Sequence, residues 1–378
     1  MATRSAFGVR ISQLNVEMVL QALITRCPEN LRTVRFRSSN MYHLYQDDEV
    51  HRLLNHFLRV APQTQEVFQI EVSLVLSSAV NLFKRPMKQC IMDLSVLDDD
   101  DLLQVASAMD HKRWRGCRDL TLVFPSFLPT TAAVVAKLHL LKTLDQVCIR
   151  SRNFDTTDSI LQHMKALVGT RPPPSLRTLT LYIACYPEFR DIFRVRVQQR
   201  GLPYEYRITL NTLRPLLTFS NLRSLKIRSP QLFVDDRLVD AIASAMHGLE
   251  VLALEDRACA HATCAALRAL NSKCPQLRRL ALAVRPSFGI SHLRAATVNA
   301  NLVYWNVSVS VPLNENRFSR DDLARTLRRM WPSLNEMVVK ADDHRPLPIH
   351  PRIDIWRQER ATCVEFWLDI WRRIQENQ

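Results

Sequence analysis

The sequence predicts an α/β fold in which parallel strands alternate with helices along a repeating array. A loose Leu-x-x-Leu-x-Leu pattern, with other apolar residues allowed at the leucine positions, recurs eleven times in 378 residues. Six of the ten intervals between its occurrences measure 24 to 28 residues, within the range of about 20–29 that is typical of leucine-rich repeats. Many occurrences are followed by a segment in which apolar residues recur every three or four positions, as they do on one face of a helix. Strand, loop and helix therefore repeat at roughly one period.

Each occurrence of the pattern predicts one strand. The occurrences begin at Leu31, Val67, Ile91, Cys117, Leu144, Leu176, Leu222, Leu249, Leu277, Leu302 and Leu334. Because side chains alternate along a strand, the fourth and sixth positions of the pattern face the core, and the third, fifth and seventh face away.

Polar residues with capping chemistry precede the predicted helices. Asp98, Thr156 and Asp235 each stand a few residues before an apolar helical stripe, and their side chains accept hydrogen bonds from the first free N–H groups. Ser319, with Asp322 three residues later, has the spacing of a capping box. Proline is predicted to end three helices, at Cys27-Pro28, Cys274-Pro275 and Trp331-Pro332, because it removes a donor and restricts the residue before it.

These elements predict an irregular leucine-rich-repeat solenoid, with parallel strands on the concave side and helices on the convex side. The array covers residues 1–340, with an insertion at about 186–210. Residues 341–351 form a proline-rich linker. Residues 352–378 form an amphipathic C-terminal helix that caps the exposed core edge of the last repeat.

Glycine is scarce, and this excludes several enzyme classes. The chain has 6 glycines, and the closest two, Gly169 and Gly201, lie 32 residues apart. No phosphate-binding loop, dinucleotide fingerprint or Gly-x-Ser-x-Gly elbow is present. Gly116, Gly169 and Gly248 follow helical segments, where positive φ closes a helix. With no catalytic motif visible, we expect a protein that is not an enzyme and has no cofactor.

Cysteine usage and hydropathy indicate the compartment. The 9 cysteines are dispersed and form no Cys-x-x-Cys, which favours the reducing cytoplasm or nucleus. We read no signal peptide in the first 25 residues. No run approaches the length of about 18 apolar residues needed to span a membrane, so no membrane association is predicted.

The side chains that face away from the core are mostly polar, and they predict a docking surface for a protein on the concave face. The candidate residues are Arg35, Arg37, Arg150, Tyr182, Lys226, Arg228, Glu255 and Lys340. Asn306 and Glu336 also stand at positions that face away from the core, and Val251 and Ala253 are apolar exceptions there. Any solvated sheet face has a similar composition, so this pattern also fits a surface without a partner.

Nucleic acid is the alternative partner. The net charge is +14, and the insertion contains Arg190, Arg194, Arg196 and Arg200 beside aromatic residues. Arginine binds phosphate, and aromatic rings stack on bases. The same arginines can instead pair with neighbouring carboxylates.

Three groups contain metal-ligand residue types, but none predicts a metal site. Cys259-x-His261-x-x-Cys264 offers three ligands in a segment that leads into a helix, whereas structural zinc usually takes four. His344 and His350 belong to the linker. The acidic run 98–101 is explained by a helix N-terminus, where carboxylates are favoured by the helix dipole.

Part of the chain resembles a known family. The block from Asp235-Asp236-x-Leu238 to Gly248-Leu249-Glu250-x-Leu252-x-Leu254, and then Cys274-Pro275-x-Leu277-x-x-Leu280-x-Leu282, resembles the repeat region of fungal F-box proteins. Trp331-Pro332-Ser333-Leu334 and the Trp-rich terminal helix are similar to the end of those proteins. The resemblance covers residues 220–375 best.

The resemblance implies a substrate receptor of an SCF-type ubiquitin ligase, in which an F-box binds the cullin adaptor and the repeats bind the target. The most F-box-like stretch begins at Leu14, but Asn15 stands where the family has proline, and the later F-box elements do not follow. We therefore predict that residues 11–26 form a repeat helix. Adaptor binding is expected only if an F-box precedes this chain.

Overall fold

The computed structural model describes residues 6–11, 13–26, 33–38, 48–60, 67–83, 87–109, 116–169, 173–183, 203–256, 261–284, 293, 297–308, 319–340 and 352–376. The chain divides into two compact units, residues 1–177 and residues 178–378. Within each unit, parallel strands pair in the order in which they occur in the sequence. The α/β class and the parallel sheet that the sequence predicts are confirmed.

Unit 1 contains, among its described residues, strands β1 (Ala6–Ile11), β2 (Thr33–Ser38), β3 (Val67–Ser73), β4 (Gln89–Asp93), β5 (Asp119–Phe124) and β6 (Gln146–Ser151). Its helices are α1 (Gln13–Thr25), α2 (Asp48–Val60), α3 (Leu76–Phe83), α4 (Asp99–Ala108), α5 (Pro129–Ala136) and α6 (Thr157–Val168). Consecutive helices from α1 to α6 pack on one another. Parallel strands need such crossover helices, because a tight turn cannot connect them.

Unit 2 contains β7 (Thr178–Tyr182), β8 (Ser224–Ser229), β9 (Val251–Asp256), β10 (Arg279–Leu282), β11 (Tyr304–Ser308) and β12 (Glu336–Lys340). Its helices include α7 (Leu210–Leu213), α8 (Asp236–Ala245), α9 (Cys264–Lys273), α10 (Arg320–Met330) and α11 (Arg352–Glu376). Helices α8 and α9 pack together, and α11 packs on α10 and β12.

The apolar pattern places most core residues correctly. Leu120, Leu122, Val147 and Ile149 are at most 2% exposed, and β5 alternates between buried and half-buried residues along its length. The equivalent positions of β7 to β11 are also buried. Within each unit, the core therefore lies between one face of the sheet and the helices.

Two strand predictions need correction. The strand predicted from Ile91 is β4, but its buried apolar side chains are Cys90 and Met92, and Val96 is exposed. Residues 90, 92, 94 and 96 are all apolar and lie in one alternating frame, so the predicted pattern is displaced by four residues, and packing selects the pattern that begins at Met87. Strand β1, with the sequence Ala-Phe-Gly-Val-Arg-Ile, is not marked by the pattern because it alternates apolar residues with alanine, glycine and arginine and contains no leucine.

Three of the four predicted helix caps form hydrogen bonds. Asp98 accepts from the backbone N–H of Asp101, and Thr156 and Asp235 accept from the equivalent N–H groups of α6 and α8. Ser319 occupies the N-cap position of α10 without a side-chain cap hydrogen bond. The capping box predicted there is wrong, because the Asp322 carboxylate pairs with Arg325 at 2.7 Å.

The predicted positive φ at glycines is confirmed at one of three positions. Gly169, at the end of α6, has φ 55° and ψ −144°, and its N–H donates to the Lys165 carbonyl. It is the one glycine with positive φ in the described part of the chain. Gly116 and Gly248 lack a positive φ, and the C-cap residues of α4 and α8 are Met109 and Met246, so glycine is not required at 116 or 248 on conformational grounds.

We expect Gly169→Ala to lower the free energy of unfolding by about 1–3 kcal/mol, because this backbone region is nearly restricted to glycine. Gly248→Ala is the matched control, since a Cβ there would meet nothing within 4 Å. Its effect should stay within about 0.5 kcal/mol. Urea denaturation of both variants tests this, and equal losses would contradict the assignment of strain to Gly169.

Candidate recognition surface

Unit 2 presents polar side chains on the sheet face opposite its buried positions. Strands β7 and β8 alternate between buried residues and half-buried or exposed residues. We call the following six side chains the polar face of unit 2: Lys226, Arg228, Glu255, Arg279, Tyr304 and Glu336. All stand at positions of the repeat pattern that point away from the core.

Three of the predicted docking residues come together across neighbouring strands. Tyr182 on β7, Arg228 on β8 and Glu255 on β9 are register partners. The Arg228 Nε lies 3.4 Å from the Glu255 Oε2. Because both side chains remain about one third or more exposed, this pair contributes little stability, but it neutralises the Glu255 carboxylate locally.

Lys226 stands beside this pair with a different environment. It is exposed and lies opposite Ala253 in the register of β8 and β9. It forms no ion pair with any residue that the structure describes. Its ammonium group is therefore available to an acidic partner.

Two members of the polar face were not among the predicted residues. Arg279 on β10 and Tyr304 on β11 are register partners, and Glu336 on β12 pairs with Tyr304. Burial raises the pKa of the Tyr304 hydroxyl, and the carboxylates of Glu336 and Glu255 raise it further. Both residues stand third in their repeat patterns, so the alternation rule alone identifies them.

Asn306 is a predicted surface residue that the fold buries. It is 4% exposed, and its Oδ1 atom has no hydrogen-bond partner in the described structure. Its register partner Ala281 is 8% exposed. The sequence expectation of a solvated Asn306 is thus wrong, because alternation gives the direction of a side chain but not what covers it.

The other predicted docking residues lie apart from this group. Arg35 and Arg37 are on β2, and Arg150 is an exposed residue on β6, all in unit 1. Lys340 is the last residue of β12. Arg190, Arg194, Arg196 and Arg200, the residues of the nucleic-acid alternative, lie outside the described residues, as do His344 and His350.

Unit 1 contains a buried group of polar side chains between consecutive repeats. The Asp155 carboxylate accepts from the Phe127 N–H at 2.7 Å, and its other oxygen lies 2.5 Å from the Ser151 hydroxyl. Burial is the main reason that the pKa of Asp155 rises to about 6. Asp155 therefore connects the loop after β6 to the loop after β5.

His163 belongs to the same group. Its Nδ1 lies 2.8 Å from the Ser159 carbonyl, and its Nε2 lies 2.5 Å from the Thr131 hydroxyl. Because a carbonyl only accepts, Nδ1 carries the proton, and the neutral ring accepts from Thr131. Burial lowers the pKa of His163 to about 4.

This buried group has serine, histidine and aspartate but not the partnerships of a catalytic triad. Ser151 is bonded to Asp155 and His163 to Thr131, whereas a triad requires the histidine to bridge the nucleophile and the carboxylate. All four side chains are at most 5% exposed. Their arrangement holds neighbouring repeats together.

The possible metal ligands are engaged elsewhere. Cys259 lies outside the described residues, and the His261 ring stacks on Phe233 at 4.2 Å. Cys264 is buried, which raises the pKa of its thiol to about 11. In the described ranges, no three His, Cys, Asp or Glu side chains are grouped as metal ligands.

No helix in the described part of the chain is long and apolar enough to cross a membrane. No protein-family model matches the sequence. No curated protein matches it either. Among solved structures, the chain is similar to a Bacteroides fragilis protein determined by crystallography as a structural genomics target. The two share 12% identity over 76% of this chain and 78% of that one, with a TM-score of 0.35.

Proposed function

We propose that this chain is a leucine-rich-repeat protein that recognises a protein partner and has no catalytic activity of its own. The polar face of unit 2 is the proposed docking surface. The observation that carries the proposal is the set of exposed, mixed charges of Lys226, Arg279 and Glu336 on a sheet whose other face is buried.

Repeat architectures support this function because successive repeats offer aligned side chains over an extended surface. In this chain, the register places the polar side chains of β8 to β12 side by side. A surface with both signs of charge favours a partner that carries complementary charges in a fixed order.

The resemblance to fungal F-box proteins in the repeats supports a narrower version. In this version, the chain is the substrate receptor of an SCF-type ubiquitin ligase, or a derivative of one that lacks the F-box. The recognised partner is then a protein destined for ubiquitination. Helix α1, where the F-box-like stretch lies, follows β1 and packs on α2, which favours a repeat helix over an adaptor-binding F-box.

The test is quantitative affinity enrichment with mass spectrometry. We expect Lys226→Glu combined with Arg228→Glu to lower the recovery of specific partners at least about tenfold, which corresponds to about 1.4 kcal/mol of binding free energy. The matched control is Arg237→Glu with Arg268→Glu, because both arginines are exposed on α8 and α9. Partners that are retained by the first variant and lost by the control would contradict docking on the polar face.

A further inference from the structure

We propose that the segment bound by the polar face is an acidic peptide whose carboxylates meet Lys226 and Arg279. This inference rests on the proposed function and adds the chemistry of the partner. The peptide crosses β9, the strand between these two cations.

The two cations lack counterions within the described structure. Lys226 on β8 and Arg279 on β10 are both exposed, and neither forms an ion pair with a described residue. Arg223 and Arg228, on or beside β8, do have carboxylate partners, Glu250 and Glu255 respectively. Two exposed charges of the same sign without counterions favour an anionic ligand over a neutral one.

The strand between the cations has short apolar side chains. Val251 is the register partner of Arg279, and Ala253 is the register partner of Lys226. Both are half-buried. They form a low, apolar floor between two long basic side chains. Because the side chains of Val251 and Ala253 are short, they leave space above β9 for a peptide.

The spacing of the cations matches a short stretch of extended chain. Lys226 and Arg279 are two strands apart and two residues out of register. With strands about 4.8 Å apart and a rise of about 3.3 Å per residue, their Cα atoms are roughly 12 Å apart. An extended peptide covers this distance in about three to four residues, so two carboxylates at that separation reach both cations.

Carboxylates on the same surface favour a peptide over a nucleic acid. Glu255 lies at the end of β9, and Glu336 is exposed on β12. Both raise the pKa of the Tyr304 hydroxyl between them. The phosphates of a nucleic acid are continuous and would meet these charges, whereas a peptide can carry acidic residues opposite Lys226 and Arg279 and none opposite Glu255 or Glu336.

The experiment is selection of a displayed library of random 12-residue peptides on the purified full chain, followed by binding measurements with the enriched peptides. We expect enrichment of Asp and Glu pairs three or four residues apart. Binding should weaken at least about tenfold for Lys226→Glu with Arg279→Glu. It should stay unchanged for Arg237→Glu with Arg268→Glu. Lys226→Gln with Arg279→Gln repeats the test if charge reversal impairs folding.

A second variant, Ala253→Tyr, separates the two proposals. It fills the floor without changing charge, so it should abolish binding to any peptide that docks on this face. Enriched peptides that are blocked by Ala253→Tyr but lack acidic residues would overturn the acidic-peptide inference and leave the docking surface intact. If the enriched peptides bind Ala253→Tyr as tightly as the unmodified protein, or if no peptide is enriched, both proposals are contradicted. Tighter binding of a 12-nucleotide single-stranded DNA probe at the same site would favour nucleic acid instead.

Discussion

Replacement of Trp367 by alanine is expected to lower the free energy of unfolding of unit 2 by about 3–5 kcal/mol. Trp367, on α11, is 2% exposed, and its ring meets Trp305 of β11 edge-on with centroids 5.2 Å apart. Trp305 is fully buried and also meets Trp331 at 5.2 Å. Removing one indole leaves a cavity between α11 and the last strands, and it also removes aromatic edge contacts.

Leu368→Ala is the matched control for this prediction. Leu368 follows Trp367 on the same helix but is 44% exposed, so its replacement should change stability by at most about 0.5 kcal/mol. Urea denaturation followed by circular dichroism measures both variants. Equal losses for the two variants, or less than about 1 kcal/mol for Trp367→Ala, would show that α11 is not part of the cooperative core.

The ion pairs around α11 are not expected to replace this contribution. Asp369 lies 3.2 Å from Arg320 and 3.0 Å from Arg373, and these hydrogen bonds lower the pKa of its carboxyl. Arg373 also pairs with Asp321. The pairs are partly exposed, and such pairs typically contribute less than about 1 kcal/mol each. They fix the position of α11 on α10 more than they stabilise it.

The repeat period could be predicted from the sequence because a buried leucine or valine recurs wherever a strand meets the core. Strands β5 and β6 follow the predicted frame. The predicted position of the strand is wrong at β4 because Cys90 and Met92 compete with Leu94 and Val96 as the apolar pair of the same alternating frame. Local alternation cannot decide where along this apolar frame the strand begins, since that choice depends on packing against residues distant in sequence.

The sequence predicts which side chains of the candidate surface face away from the core, but not which of them are paired or buried. Alternation correctly places Lys226 and Arg228 away from the core. It cannot show that Arg228 is paired with Glu255 while Lys226 has no such counterion, because the pair depends on rotamers across two strands. It also cannot show that Asn306 is buried, since that depends on long-range contacts of the folded chain.

The buried group of unit 1 should give two opposite dependences of stability on pH. The pKa of Asp155 rises from 3.8 to about 6 in the folded state. Its contribution to stability is therefore fully present below pH 3.8 and is lost as pH rises through 6. The pKa of His163 falls from 6.5 to about 4. Its contribution is present above pH 6.5 and is lost as pH falls through 4.

Single variants separate these two contributions, which nearly cancel between pH 4 and 6.5. Each difference in pKa between the unfolded and folded states corresponds to about 3 kcal/mol in the free energy of unfolding. In the unmodified protein, rising pH ionises the buried Asp155 carboxyl and lowers stability. Asp155→Asn has no such group, so its free energy of unfolding should rise by about 3 kcal/mol relative to that of the unmodified protein between pH 4 and 6.5. His163→Gln should lose a similar amount over the same window. Urea denaturation at several pH values gives both differences, and slopes of the same sign would contradict a folded state in which both groups are held neutral near pH 5.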